Sequence, residues 1–163
     1  MDDEVTEFCR QNHPRLVGAL DLYCGSLAVA EELAQEALTR AWLRWSKVRR
    51  MERPEAWVTH VAFNLARSHL RRAIVERRLG PKVQSLSSFD YRDPADALAL
   101  RASLSRLRRR PREALILRFF LQFTYAEIGE TLNIPAASAR TLVHRALPRL
   151  RKDLQQEDIS DAD

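Results

Sequence analysis

Four polar side chains at helical spacing, His60, Asn64, Arg67 and Arg71, are the first residues in this chain whose types suggest chemistry. At about 100° per residue they share a sector of roughly 60°. Such a stripe donates hydrogen bonds to phosphate oxygens and base edges; it breaks no bonds. Just ahead lies Trp45-Ser46-Lys47-Val48-Arg49-Arg50-Met51-Glu52-Arg53, with Trp57 shortly after. Cations interleaved with aromatics suit single-stranded nucleic acid, the rings stacking on bases while Lys47, Arg49, Arg50 and Arg53 hold the backbone. A large indole seldom stands in solvent without packing, so Trp42 and Trp57 are expected to anchor the core.

A second constellation lies near the C-terminus. Thr124-Tyr125-Ala126-Glu127 is a capping box, which opens a helix over Tyr125 to Leu132. Asn133 tolerates the left-handed backbone that ends it, and Pro135 starts another helix to about Leu147. A helix, a turn of a few residues and a second helix make a helix-turn-helix. Ala126 is expected at the helix crossing, with Ile128, Ile134, Ala139 and Leu142 or Val143 in the shared core. The second helix presents Ala137, Ser138, Arg140, Thr141, His144 and Arg145 to a major groove. Pro148 should kink or end it.

These side chains need helices to carry them. Apolar residues recur at three- and four-residue spacing and nothing alternates as a strand would, so the fold class is all-α: two small helical domains joined by a flexible linker, the second containing the helix-turn-helix. Gly80-Pro81 and Asp93-Pro94 bracket the linker, giving residues 1–79, 80–94 and 95–163. In the first domain, residues 4–23 form a helix or helix pair interrupted at Pro14. Residues 28–45 form a long helix, Ser46 to Arg53 a basic loop, and Pro54 to about Arg78 another helix. Val29, Ala30, Leu33, Ala34, Ala37, Leu38, Ala41 and Trp45 share one side of the second helix. Glu32, Gln35, Glu36, Thr39 and Leu43 take the other, a face that would suit a basic partner helix.

The formal charge of +5 hides its own distribution. Residues 1–45 carry −4, 46–82 carry +7, 83–104 carry −1, 105–152 carry +8 and 153–163 carry −5. Only Lys47, Lys82 and Lys152 are lysines, and the arginine fork suits phosphates and guanine edges. Two basic blocks therefore point to nucleic acid. No run approaches a membrane span and the N-terminus is acidic, so a cytoplasmic protein is expected, with no membrane insertion. Cys9 and Cys24 are too few for a disulfide framework, and Cys9 with His13 lacks further metal ligands. No phosphate-binding glycine loop or paired nucleophile and base is visible, and His13, His60, His69 and His144 are scattered. Neither an enzyme nor a cofactor or metal site is predicted.

Nearly the whole chain resembles the extracytoplasmic-function (ECF) sigma factors of bacterial RNA polymerase. Ala30 to Trp42 is similar to the family's second-region helix, which implies that Glu32, Gln35 and Glu36 contact the polymerase clamp helices. Ala56-Trp57 and Asn64 to Arg72 are similar to the helix that reads the promoter −10 element, with the loop Lys47 to Arg53 capturing an unstacked base. The stretch from Tyr125 to Ala146 is similar to the fourth-region helix-turn-helix that reads the −35 element; Thr124 and Tyr125 join its binding residues on that match. Ser68, Asn133, Leu142, Pro148 and Arg108-Arg109-Arg110-Pro111 depart from the family pattern. The resemblance implies a bacterial transcription initiation factor whose partners are core RNA polymerase, including its flap, promoter DNA and an anti-sigma factor. A stand-alone helix-turn-helix regulator is the alternative; it explains residues 105–152 but leaves the acidic helix face and the Asn64–Arg71 stripe without a role.

Overall fold

The computed structural model describes residues 2–77 and 94–160. The predicted linker lies outside these residues except for Pro94, as do Arg78 and Asp161 to Asp163. Two compact units result, Met1–Ser87 and Ser88–Asp163, and the described residues are helical with no strand.

Unit 1 contains α1 (Asp2–Cys24), α2 (Leu27–Leu43), the single turn α3 (Trp45–Val48) and α4 (Pro54–Arg77). Asp2, Asp3 and Glu4 stand at the positive end of α1, where carboxylates are favoured. The helix runs unbroken through Pro14, against the expected interruption. Pro14 and its neighbours His13 and Arg15 are exposed, as is Arg10, so the Arg10 carbonyl that loses its helical donor lies on the wet side of the helix. Gly25 ends α1 at φ +72°, its N–H donating to the Asp21 carbonyl at 2.8 Å, and Ser26 caps α2 by accepting from the Val29 N–H.

Ala30, Ala34, Ala37 and Ala41 are fully buried along α2. Small side chains there let α1 approach closely, and these two helices form the most extensive packing of the unit. Val58, Ala62, Phe63 and Ala66 of α4 complete the core, with Tyr23 and Phe63 rings 5.3 Å apart. A satellite cluster joins Val5, Trp45 and Val48, flanked by Phe8, Cys9 and Trp57. The predicted Ser46–Arg53 loop is therefore partly a helical turn pinned by the first turns of α1.

Unit 2 contains α5 (Pro94–Arg106), α6 (Arg109–Leu115), a π-helical turn (Ile116–Phe120), α7 (Tyr125–Leu132) and α8 (Ala136–Ser160). The π turn, which periodicity did not reveal, closes through Leu121 N–H to Ile116 O at 3.1 Å. Helix α8 passes through Pro148 instead of ending near Leu147, and Pro148 is exposed like Pro14. Beyond it, Asp153 and Glu157 meet Arg106 of α5 at 3.5 and 2.8 Å, which gives the acidic segment a helical path.

Candidate functional site

The predicted site residues sit on three surfaces. On α2, Glu32, Gln35 and Glu36 are exposed, as predicted, and Glu36 accepts from Arg40 one turn on at 2.9 Å. Trp42 belongs to this surface and not to the core: it is 48% exposed and Leu43 78%. The helix register explains the correction. Trp42 stands about 100° round from Ala41, beyond the alanine ridge and beside Gln35. The face is thus acidic with an apolar end, which the polar pattern alone did not show.

The second surface spans the loop and α4. Lys47, Arg49, Arg50 and Arg53 are exposed; Arg49 pairs with Glu4 at 3.4 Å and Arg53 with Glu55 at 2.6 Å. Trp45 is only 7% exposed and its ring lies tilted against that of Phe8 at 5.0 Å, while Trp57 is half-buried against the same cluster as expected. Trp45 therefore braces the loop and offers no platform for a base. The stripe on α4 stands opposite the buried Val58, Ala62 and Ala66, with Asn64 and Arg71 exposed and His60 and Arg67 half-buried. Arg67 donates to the Asn64 side-chain oxygen and Arg71 to Ser68 Oγ at 3.3 Å. Intrahelical bonds of this kind hold the long side chains in a row before any ligand arrives.

The third surface is the helix-turn-helix. Both capping-box bonds are present: the Glu127 N–H donates to Thr124 Oγ1 at 3.2 Å and the Thr124 N–H to the Glu127 carboxylate at 2.9 Å. Asn133 takes φ +55°, the left-handed conformation predicted for it. The helices cross at Gly129 and not at Ala126, which is exposed. A Cβ on Gly129 would meet the Ile134 carbonyl oxygen at 2.6 Å, so only glycine lets the turn fold back this closely. A glycine inside a helical pattern was the available signal. Ile128, Ala139 and Val143 are buried between α7 and α8, and Leu142 is at the margin.

Ala137, Ser138, Arg140, Thr141, His144 and Arg145 are all exposed on α8. Thr124 is exposed at the start of α7, and the half-buried Tyr125 next to it reaches α8 through a 3.5 Å contact between its hydroxyl and His144 Nε2. The Arg118 guanidinium lies 4.5 Å from the centre of the Tyr125 ring and donates to the Phe123 carbonyl at 2.9 Å. Arg118 comes from the π turn and was not among the predicted site residues. Nor was Arg110 of α6, which lines an open groove of about 470 Å³ with Ser138, Thr141 and Arg145 over Ile134 and Leu142.

Among the described residues no group of three His, Cys, Asp or Glu side chains could hold a metal ion. Cys9 and Cys24 are half-buried and not joined in a disulfide, and no described helix is long and apolar enough to cross a membrane.

Residues 8–74 match the family model for sigma-70 region 2, and residues 97–150 the one for sigma-70 region 4. The ECF RNA polymerase sigma factor SigW of Bacillus subtilis is 25% identical over 146 residues, covering 80% of this chain and 78% of that protein. An RNA polymerase sigma-E factor of Streptomyces avermitilis is 26% identical over 157 residues, 96% of this chain and 88% of the relative. The fold is shared with the sigma factor RpoE of Bartonella quintana, solved in complex with the anti-sigma factor NepR. The TM-score is 0.82 at 21% identity, over 93% of this chain and 97% of the other. Region 2 and region 4 matches in the expected order, carried on two helical units with relatives along nearly the whole length, place this chain in the ECF group of the sigma-70 family: it is a sigma factor, a transcription initiation factor of bacterial RNA polymerase.

Proposed function

We propose that the three surfaces divide the work of this sigma factor. The α2 face docks on core polymerase at its clamp helices. Glu32, Gln35 and Glu36 supply charge complementary to a basic helix, while Trp42 and Leu43 supply apolar area at one end. The loop cations Lys47, Arg49, Arg50 and Arg53, with the stripe His60, Asn64, Arg67 and Arg71, hold the −10 strand. Unit 2 reads the −35 duplex through α8, with Thr124 and Tyr125 at the start of α7, and docks on the polymerase flap.

The observation that carries this reading is the segregation of charge within unit 1. An exposed face bearing acids and an indole lies on α2, and a stripe of arginines and asparagine lies on α4. A stand-alone regulator has no use for the first of these surfaces. Extruding a base costs a few kcal/mol and stacking returns about 1–3 kcal/mol per base. With Trp45 buried, the loop recovers less by stacking, so strand opening depends on contacts supplied by the polymerase. The chain accordingly works as a holoenzyme subunit in the bacterial cytoplasm and does not catalyse a reaction itself. The anti-sigma complex of the Bartonella relative supports a partner of that class, which would cover these faces until a signal arrives.

Reconstituted transcription tests the reading. The chain mixed with core polymerase and a promoter library should give initiation at a selected −10 and −35 pair. Replacing Glu32, Gln35 and Glu36 with alanine should abolish polymerase binding while leaving helicity intact, and Trp42→Ala should weaken it. Unselected transcription, or unchanged polymerase affinity in the triple variant, would overturn it.

A further inference from the structure

We propose that Arg110, on α6 and outside the helix-turn-helix, is a DNA-backbone contact that clamps the −35 duplex on the flank of α8 away from Tyr125. The proposal rests on the reading of unit 2 as the −35 reader and adds a residue and a role to it.

Three neighbouring arginines are already committed within the unit. Arg106 pairs with Asp153 and Glu157. Arg112 donates to the carbonyls of Leu104, Ser105 and Leu107, and Arg118 lies over the Tyr125 ring. Arg110 is exposed and makes no ion pair among the described residues; its side chain lines the groove beside α8.

The register of α8 shows which flank this is. Taking Thr141 as the centre of the exposed face, His144 stands about 60° to one side, and Arg145 and Ser138 about 40° and 60° to the other. Tyr125 reaches the first flank through His144. Arg110 meets the second, across the groove from Ser138 and Arg145. That groove carries two guanidinium groups and two hydroxyls and no carboxylate, a donor set that selects an anion. A helix about 10–12 Å across nearly fills a major groove about 12 Å wide, so groups on its two flanks face the two phosphate backbones. Arg110 and Arg145 therefore meet one strand, while the start of α7 meets the other. Gripping phosphate on both sides fixes the register of α8 and reads no bases.

The test uses full-length chain assembled with core polymerase. Promoter binding is measured across a salt series, on a complete promoter, on −35 sequence variants and on a template truncated before the −35 element. Arg110→Ala should weaken binding to the complete promoter roughly three- to tenfold and by the same factor on every −35 variant. It should lower the salt slope by about 0.9 and have no effect on the truncated template. Arg110→Lys should recover most of the loss, since a phosphate accepts a point charge. A loss that varies with −35 sequence, an unchanged salt slope, or an equal loss on the truncated template overturns the proposal. Arg140→Ala separates the two levels. If it relaxes −35 preference while Arg110→Ala does nothing, only the Arg110 contact fails. If truncation and both substitutions are silent, the −35 reading fails with it.

Discussion

Replacing Gly129 with alanine is the sharpest test of how the helix-turn-helix is built. The added Cβ would stand 2.6 Å from the Ile134 oxygen, some 0.8 Å inside the 3.4 Å at which ordinary contact begins, with Ala136 N at 3.2 Å and Pro135 C at 3.4 Å. All three atoms are backbone, so no side chain can rotate away. The Gly129 carbonyl also accepts the Ile134 N–H at 2.9 Å, and moving the turn to relieve the clash strains that bond. Overpacking of this kind costs about 1–3 kcal/mol, and the rigidity of the turn puts it near the upper end. Alanine returns about 1 kcal/mol through better helix propensity. The net loss is about 2 kcal/mol, which lowers the midpoint of a unit this size by about 8–16 °C. The sequence supplies the assay, because Trp42, Trp45 and Trp57 all lie in unit 1. Circular dichroism should show an early loss of helix while tryptophan fluorescence keeps the parent transition. An unchanged or raised midpoint would refute the close crossing at Gly129.

Three further outcomes follow from particular bonds. Arg112→Ala removes the donor to three carbonyls at the corner between α5 and α6, at 2.9, 3.2 and 2.9 Å, and should cost unit 2 about 2–3 kcal/mol by chemical denaturation. Lysine should restore only part of this, lacking the planar fork. Thr124→Ala should lower stability by about 1 kcal/mol and Thr124→Ser by much less, because serine keeps the capping oxygen; thermal melts of the three proteins decide it. Burial pushes the Cys9 thiol above its ordinary value near 9.0. The folded state therefore holds that proton longer than the unfolded chain does. Its contribution to stability is complete below that value and is lost as the pH rises through it toward the folded value. In a Cys24→Ser background, alkylation of native Cys9 should lag behind that of the denatured chain at pH 8–9, and equal rates would contradict its burial.

What was legible in the sequence was whatever a single helix decides by itself. The capping box at Thr124, the left-handed Asn133 and the α4 stripe all depend on residues within a turn or two, and all are present. Misreadings arose where a local rule met an unseen neighbour or an unseen solvent boundary. An interior proline removes one helix hydrogen bond wherever it stands; at Pro14 and Pro148 the carbonyl left without a donor, that of Arg10 and of His144, belongs to an exposed face where water can satisfy it, and the helices run on. Hydrophobicity placed Trp42 inside, but the alanine ridge of α2 had already filled that side, and Trp45 took the interior position instead. The crossing glycine was hidden because its reason is the Ile134 carbonyl five residues away across a turn. Arg110 and Arg118 lay in a basic block whose members look alike in one dimension.

That block shows why counting charge is a blunt guide to a nucleic-acid surface. Residues 105–152 carry a net +8, yet their arginines do different work. Arg112 binds backbone carbonyls, Arg118 supports an aromatic ring, and Arg106 draws Asp153 and Glu157 toward α5. Asp153 stands one helical turn beyond Arg149, close enough in sequence to pair with it, but its carboxylate meets Arg106. Exposed pairs of this kind add little to the stability of a fold, so stability is not their main consequence. The pairing occupies Asp153, which would otherwise stand one turn from Arg149. Arg140, Arg145 and Arg149 are left exposed with no ion pair among the described residues, and Arg110 joins them from α6. Cations without a protein partner are the ones a phosphate backbone can recruit at no cost in broken bonds. On the proposed reading the binding surface is set by which arginines the fold leaves uncommitted, and the acidic end of α8 helps to make that selection.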